Sequence, residues 1–177
     1  MNRRRARPTL AGAALALAAS PGCASRYRAE VAPGCHKTET LVLMAQAVPS
    51  ADRVPCIANL PAGWSFAEMD IHEGLATFSL SSDRVGDRAV VVTLRRSCPV
   101  AGTTEIATDK PGTRRFERVQ SLIGGYLGTR TYLFRGGCTT YRFSFKTPGM
   151  ALVNQASLAL GFVSRAEVAR LAALKSV

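Results

Sequence analysis

A 177-residue chain that is 47% hydrophobic and 20% charged has the make-up of an ordinary folded protein, without the low-complexity tracts of a disordered chain or an internal repeat. That length supplies one hydrophobic core and speaks for one domain rather than two. With 23 Lys and Arg against 12 Asp and Glu, the net charge of +11 at pH 7 disfavours basic partners and favours acidic ones.

The chain is expected to begin with a leader. Arg3, Arg4, Arg5 and Arg7 precede LAGAALALAASPGC at positions 10–23, the charged, apolar and small-residue order of a secretory signal peptide. The apolar run is too short and too weakly hydrophobic for a membrane span, which needs about 20 apolar residues. The expected organisation is a cleaved signal peptide over 1–22, a basic tether over 23–34 and a disulfide-stapled domain over 35–177. Without the four leader arginines, 19 basic residues still face 12 acidic ones, a net +7. For an exported protein this balance points to anionic lipid, acidic wall polymer or an envelope protein as partner, and no nucleic acid is expected; solubility alone is the plainer use of the same charge.

Five cysteines are present, an awkward number for an oxidised exported chain. The count becomes even if Cys23 leaves the set. Ser20-Pro21-Gly22-Cys23 resembles a lipobox in its small residues and its cysteine, with Ser20 where leucine is usual, so lipidation of Cys23 is expected ahead of its loss by cleavage after Ala24 or Ser25. Cys35, Cys56, Cys98 and Cys138 then form two disulfides. Three pairings are open, and the expected one joins Cys35 to Cys56 and Cys98 to Cys138. No CxxC pair occurs, and His36 beside Cys35 lacks a second ligand pair at zinc spacing, so no metal and no cofactor are expected.

In chain order, Leu41, Met44, Ala45 and Val48 recur at helical spacing until Pro49 stops them. SADRVPCIANLPAGW, residues 50–64, with Pro55, Pro61 and Gly63, reads as an irregular connection. Trp64–Ile71 reads as a strand whose alternation Glu68 interrupts, His72-Glu73-Gly74 as a turn, and LATFSL and AVVVTL as further strands around the polar loop SSDRVGDR. Residues 99–112 look like a long excursion and 113–119 like a strand; Gly124 and Gly125 argue against a helix through VQSLIGGYLGT. TRTYLFR and CTTYRFSFK around Gly136-Gly137 predict a tight hairpin, with Tyr141, Phe143 and Phe145 on its buried face. Thr147-Pro148 is expected to cap a helix running to Leu160, and Ser164-Arg165-Ala166-Glu167 a second one with Val168, Leu171, Ala172 and Leu174 on its inner side. The expected fold is α+β: a single domain with a mainly antiparallel sheet of five or six strands and helices near both ends packed on one face.

The segments LVLMAQAVPSADRVPCIANLPAGWSF, SSDRVGDRAV and RTYLFRGGCTTYRFSF resemble an uncharacterised family of small exported bacterial proteins, many of them described as lipoproteins. The resemblance covers most of the mature chain. It implies export and one domain, and supplies no activity, substrate or catalytic residue.

Catalytic signatures are sparse. His36 and His72 are the natural general bases, but no GxSxG or SxxK arrangement accompanies them. Asp83 and Asp87 alternate with Arg84 and Arg88 in a polar loop better suited to a hairpin turn than to calcium. Arg114, Arg115, Arg118, Arg130, Arg135 and Arg142 cluster in the strand region; if Arg130 and Arg142 project from adjacent strands, they and Arg135 form an anion-binding surface. A solvated sheet face is the plainer reading of the same residues. The function expected is a non-enzymatic, membrane-anchored or secreted envelope domain that binds or scaffolds a partner, the alternative being a secreted hydrolase whose site is not obvious.

Overall fold

Among the described residues ten strands and three helices form, because apolar side chains alternate through most of the chain and turn helical only near its ends. The computed structural model describes residues 27–175. In order these are β1 (Tyr27–Ala29), α1 (Thr38–Ala47), β2 (Arg53–Ile57), β3 (Trp64–His72), β4 (Leu75–Ser82), β5 (Gly86–Arg95), β6 (Thr104–Ile106), β7 (Arg114–Ser121), β8 (Tyr126–Phe134), β9 (Gly137–Phe145), α2 (Met150–Ala159), β10 (Leu160–Ser164) and α3 (Arg165–Lys175). The main sheet has the order β1-β3-β4-β5-β9-β8-β7-β6, with every pairing antiparallel. Two meanders, β3-β4-β5 and β6-β7-β8-β9, meet at the β5–β9 pair. The expected signal peptide and Cys23, the expected lipidation site, lie outside the described residues.

One face of this sheet carries the core. Phe78 and Leu80 of β4, Val90, Val92 and Leu94 of β5, and Tyr141, Phe143 and Phe145 of β9 are all buried. The register Val90↔Phe143 and Val92↔Tyr141 puts them on the same side. Burying one such side chain contributes about 1.5–3 kcal/mol, more than the ~1 kcal/mol range of strand propensity, so alternation decides which way each strand faces. The Glu68 interruption is resolved by a bulge between Phe66 and Glu68, which returns Met69 and Ile71 to the core side.

A second layer covers that face. It consists of the three helices and a two-stranded ribbon of β2 and β10. Phe162 of β10 packs edge-on against Tyr132 and Phe134, and Trp64 donates to Gln155 of α2. Arg165 at the start of α3 donates to the carbonyls of Ala45, Val48 and Ala51, supplying the C-terminal end of α1 with a cation that its own last turn lacks. Cys35 is bonded to Cys56, and Cys98 to Cys138.

The single α+β domain with a mostly antiparallel sheet is present, but the five or six strands expected become eight in the main sheet and two more in the ribbon. The additions are short strands: β6 makes a local hairpin with β7, while β1, β2 and β10 depend on long-range pairing. Arg53–Ile57 lies inside the stretch expected to be irregular, and becomes a strand because Leu160–Ser164, more than 100 residues later, pairs with it. Tyr27–Ala29, within the expected tether, adds to the edge of β3. The helix expected from Thr147-Pro148 begins instead at Met150, after Gly149, with no side-chain cap. In α3, Ser164 Oγ does accept from the Glu167 amide, while Leu174 is exposed rather than buried.

Candidate functional site

The open face of the sheet is shaped by one unusual connection. After β5 the chain crosses this face to β6 at the far edge, and the Cys98–Cys138 disulfide pins the crossing to β9. Beneath it runs a cross-strand row, Thr93, Thr140 and Thr131, on β5, β9 and β8. The adjacent row reads Arg142, Thr129 and Arg118 across β9, β8 and β7. Arg95, two residues beyond Thr93 on β5, stands on the same face.

Together with Cys98, Pro99, Ala101, Thr103 and Gln120 these residues line a cleft of about 420 Å³. No carboxylate lines it. Among the described residues Arg95, Arg118 and Arg142 enter no ion pair or side-chain hydrogen bond, whereas Arg84, Arg88, Arg114, Arg115, Arg130 and Arg135 each have an acidic neighbour. The Thr131 and Thr140 hydroxyls bond each other at 3.1 Å, and Thr140 Oγ1 lies 3.6 Å from Cys98 Sγ. Those of Thr93 and Thr129 have no such partner. Gly102 of the crossing has φ +69, a left-handed conformation, and a Cβ there would lie 3.8 Å from Arg118 Nη1, so the guanidinium packs against the cleft wall.

The expected arginine surface is therefore corrected. Arg130 pairs with Tyr141 in register and Arg142 with Thr129, so adjacent strands carry the two arginines on opposite faces. Arg130 is only 4% exposed, paired with Glu117 and bonded to Asn154 of α2. Arg135 projects from the hairpin turn beside Asp52, 3.5 Å away. Only Arg142 of the three reaches the cleft. Its partners there are Arg118, noted in the sequence, and Arg95, which was not singled out; the signal for it was the parity of Val91, Thr93 and Arg95 in β5.

On the covered face, Arg130 is the buried member of a half-buried ionic network. Arg115 joins Glu117 and Asp109, Tyr132 donates to Asp109 at 2.8 Å, and Lys110 caps the end of α2 through the Leu160 carbonyl at 2.7 Å. Burial pushes the Asp109 carboxyl up, but the Tyr132 hydrogen bond and the Lys110 and Arg115 charges outweigh it and leave it below its ordinary value. Burial raises the Tyr132 phenol well above the usual range and lowers the Lys110 ammonium, the latter against the pull of Asp109. These contacts hold the 107–113 loop against the C-terminal end of α2.

His72 Nδ1 lies 3.2 Å from the Glu73 carbonyl, and His36 is exposed beside the first disulfide. Among the described residues neither ring is hydrogen-bonded to a hydroxyl or a carboxylate. Asp83 pairs with Arg84 at the β4–β5 tip. No helix among the described residues is long and apolar enough to cross a membrane, and no group of three or more His, Cys, Asp or Glu could hold a metal ion. Compared with protein-family models, curated proteins and solved structures, the chain matches none of them.

Proposed function

We propose that this protein is an exported, non-enzymatic domain of the cell envelope that binds an acidic partner on the open face of its sheet. The observation that carries the reading is the cleft under the 96–103 crossing, where three arginines face solvent with no carboxylate to neutralise them. Uncompensated cations in a concave site attract anions, and a cleft focuses that field more than a flat face does. Two disulfides fit an oxidising compartment outside the cytoplasm, as does the leader. Acylated Cys23 would keep the domain at the outer face of the membrane; removal of Cys23 would release it.

The test is co-sedimentation of the mature protein with envelope fractions at low and at physiological salt. Binding is expected to fall with salt, because exposed charges are screened over about 8–10 Å, and to be lost in the triple variant Arg95→Gln, Arg118→Gln, Arg142→Gln. Wild-type sedimentation no greater than that of the triple variant would sink the reading.

A further inference from the structure

The reading above leaves the chemistry of the acidic partner open, and the donor geometry of the cleft narrows it; the inference that follows rests on that reading. We propose that the cleft is a phosphate site for a flexible phosphodiester-linked chain, with Arg118, Arg142, Arg95, Thr93 and Thr129 as its ligands.

The first consideration is the arrangement of donors. Thr93 and Thr129 are half-buried residues of the floor, whereas the guanidinium groups come from exposed side chains around it. A planar carboxylate is recognised in its own plane by one guanidinium fork. A tetrahedral phosphate has oxygens outside any one plane, and donors both beneath and beside it match that shape. The two unpartnered hydroxyls are the more telling part, since a site for charge alone needs none.

The second consideration is span. Arg142 and Arg118 share a cross-strand row with Thr129 between them, which sets their Cα atoms about 10 Å apart. Arg95 is four residues along β5 from Val91, the partner of Arg142, and so about 14 Å from it. Several anionic groups in one chain engage such a set better than a single small ion does.

The third consideration is depth. Thr131 on the floor is only 3% exposed, and the stapled crossing walls the site on one side. A single chain can enter beneath that wall, while the head-group plane of a bilayer cannot follow the floor. Lipid and polymer share the phosphodiester group, so the probes must separate them.

Isothermal titration of the mature protein with a synthetic glycerol-phosphate oligomer is the direct measurement, alongside polyglutamate of equal charge and phosphatidylglycerol vesicles. Saturable oligomer binding is expected, weakened about tenfold by Arg118→Gln or Arg142→Gln, as for loss of one charged hydrogen-bonding group. Thr129→Val is expected to weaken the oligomer and leave polyglutamate unaffected. An unchanged far-ultraviolet spectrum and thermal midpoint show that these surface variants remain folded. Equal affinity for polyglutamate, unaltered binding by Thr129→Val, or arginine-dependent binding to vesicles alone would each overturn the assignment. If the oligomer fails while envelope fractions still sediment in an arginine-dependent way, the ligand class is wrong and the binding function stands; if both fail, the binding function falls too.

Discussion

Asp109 shows how one residue on the covered face ties a loop to the rest of the fold. Its carboxylate accepts from Tyr132, pairs with Arg115 at 3.1 Å and lies near Lys110. Its folded-state pKa is lowered from 3.8, so the charged form is favoured by folding. The stability it contributes is present above the unfolded value and is lost as the pH falls through the lower folded value. Urea midpoints are therefore expected to decline below about pH 4, and Asp109→Asn to flatten that decline while lowering the midpoint at pH 7. A variant curve parallel to wild type across pH 2–7 would show that Asp109 is not responsible. Glu105 and Glu167 are also held low, each by a hydrogen bond from a neighbouring arginine, but both pairs are exposed and screened. The same residue scale shows why composition misleads about arginine: Arg130 and Arg142 are alike in sequence, yet one is closed inside an ion pair and the other is open to a ligand.

At the scale of elements, the 96–103 crossing depends on a covalent tie rather than on packing of its own. It contributes few apolar side chains to the core, and Cys98–Cys138 closes a separation of 40 residues. Chain-entropy reasoning gives the bond roughly 4 kcal/mol of stability. The double variant Cys98→Ser, Cys138→Ser is expected to lose about that much in urea unfolding, with weaker anion binding because the cleft wall is no longer pinned. Retention of full stability and affinity by the double variant would show that the crossing holds itself in place. The β8–β9 hairpin has a different constraint. Gly136 adopts φ +73 in a two-residue turn, and a Cβ there would lie 1.8 Å from the Ser50 carbonyl oxygen, so both the turn and the close approach of α1's following segment require glycine.

The whole molecule is closed by the segment that follows α2. β10 pairs along all of β2, Phe162 packs on Tyr132 and Phe134, and Arg165 caps α1. Truncation after Ala159 would remove all three contacts and leave the aromatic face of β8 exposed. Such a chain is expected to lose the single cooperative urea transition of the full protein and to bind a hydrophobic dye. A sharp transition at the original midpoint would mean that the main sheet is self-sufficient.

Much of the element pattern could be read from residue order. Two-residue alternation in LATFSL, AVVVTL and CTTYRFSF marks strands because neighbouring side chains must face opposite sides of a sheet. The helical spacing of Leu41, Met44, Ala45 and Val48 marks α1 in the same way, and Gly136-Gly137 marks the hairpin. β2 and β10 escaped because each is five residues long, β2 carries a proline, and each is a strand only through the other. The cleft escaped for a related reason. Which arginines share a face depends on the register between strands, and which are free depends on acids brought near by folding. Sequence alone thus determined six strands of the main sheet, the first helix and the stock of positive charge, all set by local periodicity and composition. Tertiary structure decided that Arg130 is buried with Glu117 while Arg95, Arg118 and Arg142 line an open cleft, because strand register and chain crossing are long-range properties.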